Sequence, residues 1–299
     1  MDNESKEKEK MSNLEKLVLN KYAEYSSILT YVAGQVTQDG ALLLIETAES
    51  ELDFFERPVK KRDWTIRIIK DDRIDTIVLK KVPLIPTHVD IFSDGSLLIV
   101  QGRCLKEDNY IERNARRYNP NGQLIDAFTL GDGINDVQID NNDTIWVSYF
   151  DEGIFGNFGW DEPIGSDGII AFSITGEKLW GAEDYGIIDC YALNVANSKE
   201  VYFYYYDDFN LVCLDEMKES ARYHVRGPDT LQQFIFDQSD LIGLIDMYTL
   251  KRFRLQVRSL KPTEKIQIVD EKGKRIIGPI FMRGTFLFAY GKDGIYGRK

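Results

Sequence analysis

Six ten-residue segments of this chain align with one another without gaps. Each is the end of one apolar strand, a polar turn and a second, strongly apolar strand. They are VTQDGALLLI (36–45), IFSDGSLLIV (91–100), IDNNDTIWVS (139–148), VANSKEVYFY (195–204), FDQSDLIGLI (236–245) and IFMRGTFLFA (280–289). Their fifth positions are Gly40, Gly95, Asp143, Lys199, Asp240 and Gly284, in steps of 55, 48, 56, 41 and 44 residues. A period near 50 residues suits a repeating unit of four strands and is too long for a leucine-rich or ankyrin repeat. Gly and Asp at the turn fit tight hairpins, whose positive φ Gly adopts freely and Asp tolerates.

The outer half of the unit is visible as well. ARRYNPNGQLIDAFTL (115–130) and IIAFSITGEKLWGA (169–182) each place an Asn-Gly or Thr-Gly turn between two strands, and NLVCLDEMKESARYHV (210–225) is a degenerate copy. No stretch shows the 3.6-residue apolar period of a helix. These features predict an all-β fold, a six-bladed β-propeller of four-stranded antiparallel blades, forming one domain over 13–299. The last unit stops one strand short, and LEKLVLNKY (14–22) is left over before the first. An uncompleted final blade exposes an edge. Residues near Leu17–Leu19 are therefore expected to close the ring as the outermost strand of the final blade. Residues 1–12 are expected to be a disordered charged tail. The fifth blade is the weakest, because Gly243 interrupts its inner strand.

Composition narrows the function. Apolar residues make up 43% of the 299, enough for a large core, and 16 Tyr and 16 Phe favour strands. A formal net charge of −12 repels phosphate backbones and anionic membrane surfaces, so neither nucleic acid nor membrane is an expected partner. Cys104, Cys190 and Cys213 are odd in number and widely spaced, which does not suit a disulfide framework. With only His88 and His224 besides, no Cys/His zinc pattern can be written. The opening MDNESKEKEK has no apolar run of a secretory signal, and a cytoplasmic location is expected.

Strand alternation makes the two faces of such a ring unequal. The short turns between first and second strands share one face. The connections between second and third strands share the other, and three of them are long: 46–62, 101–116 and 151–168. Long loops are disproportionately functional, which places the expected binding face around blades 1 to 4. The third loop interleaves Phe155, Phe158 and Trp160 with five glycines, followed by Asp161 and Glu162. Such rings form an adaptable platform for a ligand; the alternative is that they plug the channel or cap a neighbouring blade. At the channel entrance, the first strands begin with His88 and Asp90, with Asn135 and Asp136, and with Asp189, Cys190 and Tyr191. Carboxylates there suit Ca²⁺ or another divalent cation, with Asp136 and Asp189 as ligands, or an acid/base pair; the alternative is that they bond loop backbones at the rim. Cys190 is a nucleophile only if His88 serves it as base, and otherwise a buried, inert thiol.

The segment INDVQIDNNDTIWVSYFDEG (134–153) resembles the gluconolactonase (regucalcin-like) family of six-bladed propellers, and the same blade signature occurs in NHL-type and WD-like propellers. The resemblance implies a substrate contact at Asn135 and a divalent cation, but blade 4 reads IDCYALNV without the family's Asn-Gly pair. The stretch from Tyr149 to Leu214 also resembles a group of bacterial propellers without an assigned activity. Two functions follow as expectations. The first is a non-enzymatic binding module that needs no cofactor. It holds a protein segment or small ligand at Phe155, Phe158, Trp160, Asp161, Glu162, His88, Asp189 and Tyr191. The second is a metal-dependent, lactonase-like hydrolase using Asn135, Asp136 and Asp189.

Overall fold

The computed structural model describes residues 14–108, 110–227 and 230–298; the expected tail over 1–12 lies outside them. Strands β1 (Leu14–Val18) and β2 (Asn20–Ala23) open the described chain. Then β3 (Thr30–Val36), β4 (Leu42–Thr47), β5 (Arg62–Lys70) and β6 (Arg73–Val82) pair in order as one sheet. The next sheet contains β7 (His88–Ile91), β8 (Leu97–Val100), β11 (Ala115–Tyr118) and β12 (Leu124–Phe128). A small hairpin, β9 (Lys106–Glu107) with β10 (Tyr110–Ile111), sits within its long loop. A third sheet has β13 (Ile134–Ile139), β14 (Ile145–Tyr149), β15 (Ile169–Phe172) and β16 (Lys178–Gly181).

Two further antiparallel runs follow. One is β17 (Asp189–Asn197), β18 (Glu200–Tyr206), β19 (Asn210–Asp215) and β20 (Lys218–Val225). The other is β21 (Gln233–Asp237), β22 (Asp240–Leu244), β23 (Leu250–Gln256) and β24 (Ser259–Val269). Last come β25 (Ile280–Arg283), β26 (Phe286–Gly291) and β27 (Gly294–Arg298), with β2 as the fourth strand of their sheet. A short helix, α1 (Asp151–Phe155), lies in the third long loop, where no helix is expected from the sequence. No helix of the described residues is long and apolar enough to cross a membrane.

The arrangement is all-β and propeller-like, but its sheets correct the expected count. Four of them are separate and four-stranded, not six. The eight strands expected as blades 4 and 5, with β1 as a ninth, form one continuous sheet. The cause is edge pairing: β20 and β24 join in parallel, His224 opposite Ser259 and Val225 opposite Leu260, which satisfies two outer edges at once. Inside, β3, β7, β13, β17, β21 and β25 pack on one another in turn, and β25 packs back on β3.

Closure also differs from expectation by a few residues. The outermost strand of the final sheet is β2, with Asn20 opposite Gly297 and Lys21 opposite Tyr296. Leu17 instead lies opposite Ile268, in a parallel pairing of β1 with β24, and the Leu19 amide donates to Val269 O at 2.9 Å. The chain steps from one sheet to the next between β1 and β2. Leu17 and Leu19 are therefore buried in the seam, against Ile266, Ile268, Leu287 and Tyr296. This burial accounts for their apolar character.

At the turns, positive φ occurs at Gly40, Gly95, Asp143 and Gly284, as the repeat predicts; in the fifth unit it falls on Gln238 rather than Asp240. Gly243 does not weaken an inner strand. It lies on β22, where an added Cβ would meet Leu231 Cδ1 at 2.2 Å, so the absence of a side chain is what lets Leu231 pack there.

The centre of the ring is tied by Arg283, which is fully buried. Its guanidinium donates to Val195 O at 2.7 Å, Val36 O at 3.1 Å, Asp90 Oδ2 at 2.7 Å and Ile139 O. Asp90 in turn accepts from the Ile139 and Ile91 amides at 2.6 and 2.8 Å. Five inner strands are thereby joined through one ion pair. Arg283→Met leaves a buried carboxylate without its partner and is expected to cost roughly 3–5 kcal/mol in chemical denaturation. The double variant Arg283→Met/Asp90→Leu should recover part of that loss; simple addition of the two single losses would show that the side chains do not act as a pair.

Candidate functional site

Where the inner strands begin, the ring opens into a cavity of about 480 Å³. All six inner strands contribute to its wall, which includes Gln35, His88, Asn135, Asp136, Gln138, Asp189, Tyr191 and Gln233, with Gln232, Phe150 and Phe281. The structure thus brings together His88, Asn135, Asp136, Asp189 and Tyr191, which the sequence placed at the channel entrance. It does not bring Phe155, Phe158, Trp160, Asp161 or Glu162 into that wall.

His88 Nε2 lies 3.0 Å from Asn135 O, so Nε2 carries the proton, and Nδ1 accepts from the Thr87 hydroxyl at 2.9 Å. Surrounding protein lowers the His88 pKa by desolvation, against the pull of Asp136. The same desolvation raises the Asp136 carboxyl, opposed by His88, by Gln138 Nε2 at 2.9 Å and by the Val137 amide at 2.7 Å. Asn135 Nδ2 donates to Cys190 O at 2.9 Å and ties β13 to β17.

Asp189 is different. Its carboxyl is half-buried and pushed up to about 6, first by desolvation and then by the charge of Asp151. Among the described residues no side chain or backbone donor reaches its carboxylate. Cys190, Cys104 and Cys213 are all free and buried. Desolvation raises the Cys190 thiol, and His88 spends both ring nitrogens elsewhere, so the nucleophile–base pairing is not formed.

The three long loops meet one another away from the cavity. Arg57 Nη2 donates to Arg103 O at 3.2 Å, and the Lys106 amide donates to Phe158 O at 3.1 Å. Arg103 pairs with Glu152 and with Asp132 at 3.1 Å, and its guanidinium lies over the rings of Phe55, Phe150 and Phe158. Trp160 is 5% exposed, and its indole N–H donates to Cys104 O at 2.6 Å. It therefore fastens the third long loop to the second, with the Lys106 ammonium over its ring at 5.1 Å. Gly159 permits this approach: a Cβ there would lie 1.8 Å from Lys106 O, at φ +89. Phe155, Asp161 and Glu162 remain exposed.

The divalent cation implied by the gluconolactonase resemblance has no matching donor set. Asp136 accepts from Gln138 Nε2 and the Val137 amide. Among the described residues, no three His, Cys, Asp or Glu side chains gather as a metal-binding group. The wall residues that the sequence reading missed are the amides Gln35, Gln138, Gln232 and Gln233 and the rings Phe150 and Phe281. A signal existed for some of them. The residue just before the ten-residue unit is Gln35, Asp90, Gln138 and Asn194 in the first four copies, a recurring polar residue in otherwise apolar strands.

Two outcomes test this description. Trp160→Ala is expected to cost roughly 3–5 kcal/mol of stability, as buried aromatic truncations do. Carbon-detected NMR should show Asp189 titrating near pH 6, with the midpoint moving down part of the way in Asp151→Asn, since desolvation is the larger cause. Because the folded pKa lies above the unfolded value, Asp189 contributes stability present below about pH 4 and lost as pH rises through about 6. Asp189→Asn should abolish that slope and melt no lower than the parent at pH 7.5.

The YxzG family pattern matches residues 164–298, less than half of the chain. No curated protein matches. Among solved structures, the chain is similar to virginiamycin B lyase from Staphylococcus aureus, with TM-score 0.53 and 10% identity over 89% of this chain and 79% of that one. It is also similar to a streptogramin B lyase, with TM-score 0.51 and 9% identity over 93% and 96%. A chain of a mitotic checkpoint complex gives TM-score 0.52 and 6% identity over 91% and 74%. At these identities the likeness is one of fold, and the fold is that of a propeller.

Proposed function

We propose that this protein is a binding module of the propeller type, with its nine-stranded sheet counting as two fused blades in a ring of six, and that its channel mouth takes a small polar ligand. The observation that carries the reading is the cavity itself. It draws on every inner strand, it is walled largely by polar side chains, and its 480 Å³ falls within the ordinary range of about 300–1,000 Å³ for small-molecule sites. A concave site of this size suits a small ligand better than a protein segment. The knitted loops, with Phe155, Asp161 and Glu162 exposed, form its surroundings rather than the site.

Fold does not decide between binding and catalysis, since the similar structures include two lyases and part of a checkpoint assembly. The hydrolase alternative calls for a divalent cation, and it has less behind it, since among the described residues no three His, Cys, Asp or Glu side chains gather to hold one. A thermal-melt screen of polar metabolites tests the proposal. A ligand present at a hundred times its Kd should stabilise the protein by about 2.7 kcal/mol. Gln232→Trp, which fills the mouth, should abolish the shift. A shift that survives in Gln232→Trp would place the ligand elsewhere.

A further inference from the structure

Resting on that reading of the channel mouth, we propose that its ligand is a small organic cation bearing an ammonium group. The charges point this way first. Asp136 and Asp189 line the cavity, Asp151 stands close enough to repel Asp189, and no Lys or Arg is among the described lining residues. Arg283 does not compensate. It is fully buried against Asp90, with its N–H groups directed to Val36, Ile139 and Val195 carbonyls.

Hydrogen-bond capacity points the same way. Several donors of the wall are spent on the protein, while among the described residues the side-chain N–H groups of Gln232 and Gln233 and the Tyr191 hydroxyl are not. Gln35 Nε2 donates to Val137 O at 2.8 Å, Gln138 Nε2 to Leu193 O at 3.0 Å, Asn135 Nδ2 to Cys190 O at 2.9 Å and His88 Nε2 to Asn135 O at 3.0 Å. Acceptors are left over: among the described residues, the Asp189 carboxylate, Gln35 Oε1 and Asn135 Oδ1 receive no donor. A cavity without Lys or Arg, holding a carboxylate that receives no donor, is complementary to a cationic N–H donor. An ammonium supplies both the countercharge and the missing donors for Asp189. The rings of Tyr191 and Phe281, also in the wall, offer faces to the methylenes or charge of an alkylamine.

Titration calorimetry at 150 mM salt and pH 7.5 tests this with spermidine and 1,4-diaminobutane, against glucose and citrate as neutral and anionic probes. At least one amine should bind. Asp189→Asn should weaken it tenfold or more while melting no lower than the parent, and lowering the pH to 5 should weaken it in the parent but not in the variant. Equal amine binding by the parent and Asp189→Asn would overturn the inference and assign the binding to the acidic surface. Binding of glucose or citrate instead, blocked by Gln232→Trp, would overturn the cation while leaving the channel-mouth site standing. No binding by any probe, together with no ligand from the metabolite screen, would overturn both.

Discussion

The ring depends on the buried pair of Arg283 and Asp90. A ring of sheets has no single hydrophobic layer running through its middle, and its inner strands leave backbone groups facing a central channel. Arg283 reaches carbonyls of β3, β13 and β17 and the carboxylate of β7 from its own place on β25. A planar guanidinium is suited to this, because its N–H groups diverge in fixed directions and it stays charged when desolvated. Asp90 makes that charge tolerable and itself binds the Ile139 amide. The remaining inner contacts follow the same scheme with amides: Asn194 donates to Phe234 O at 2.6 Å, and Gln233 accepts from the Met282 amide at 3.0 Å.

The same channel therefore has two chemically different levels. Around Arg283 the groups are buried and four hydrogen bonds run from the guanidinium to protein acceptors. At the mouth several donors still join neighbouring strands, but acceptors, the Asp189 carboxylate among them, are left over. Burial of an unpaired carboxylate is unfavourable, and Asp189 shows the consequence in its raised pKa. Nothing in the packing of β17 requires an acid at this position, which separates Asp189 from Asp90, whose charge the ring uses.

Much of the architecture was legible in the sequence because strand, turn and strand recur with matching chemistry. Gly40, Gly95 and Gly284 mark turns of positive φ, and the period gave the unit its size. The edges were less legible. Whether β20 meets β24, or β1 joins β24 before β2 completes the last sheet, depends on where two outer strands come to lie in space, and no local residue pattern encodes it. His88, Asp136, Asp189 and Tyr191 were found because they begin inner strands. Gln35 and Gln138 were passed over because a lone amide in an apolar strand resembles noise until the copies are aligned. Arg283 was hidden for the opposite reason: it occurs in one copy only, so repetition could not reveal it.

The third long loop shows how a distinctive sequence can act through a neighbour. Its rings do not enter the cavity. Trp160 and Phe158 instead fasten the loop to the second long loop, through Cys104 O and the Lys106 amide. That anchoring fixes α1, which packs against β17 and carries Asp151 at its start. Phe150, just before it, forms part of the cavity wall and lies under the Arg103 guanidinium at 5.6 Å. Arg103 is itself held by Asp132 and Glu152, so the position of Phe150 is set by the loops as a group. The aromatic and glycine residues thus do their work at one remove. They hold a carboxylate beside Asp189 and a ring in the wall, and through these two contacts the loop face shapes the charge of the channel mouth.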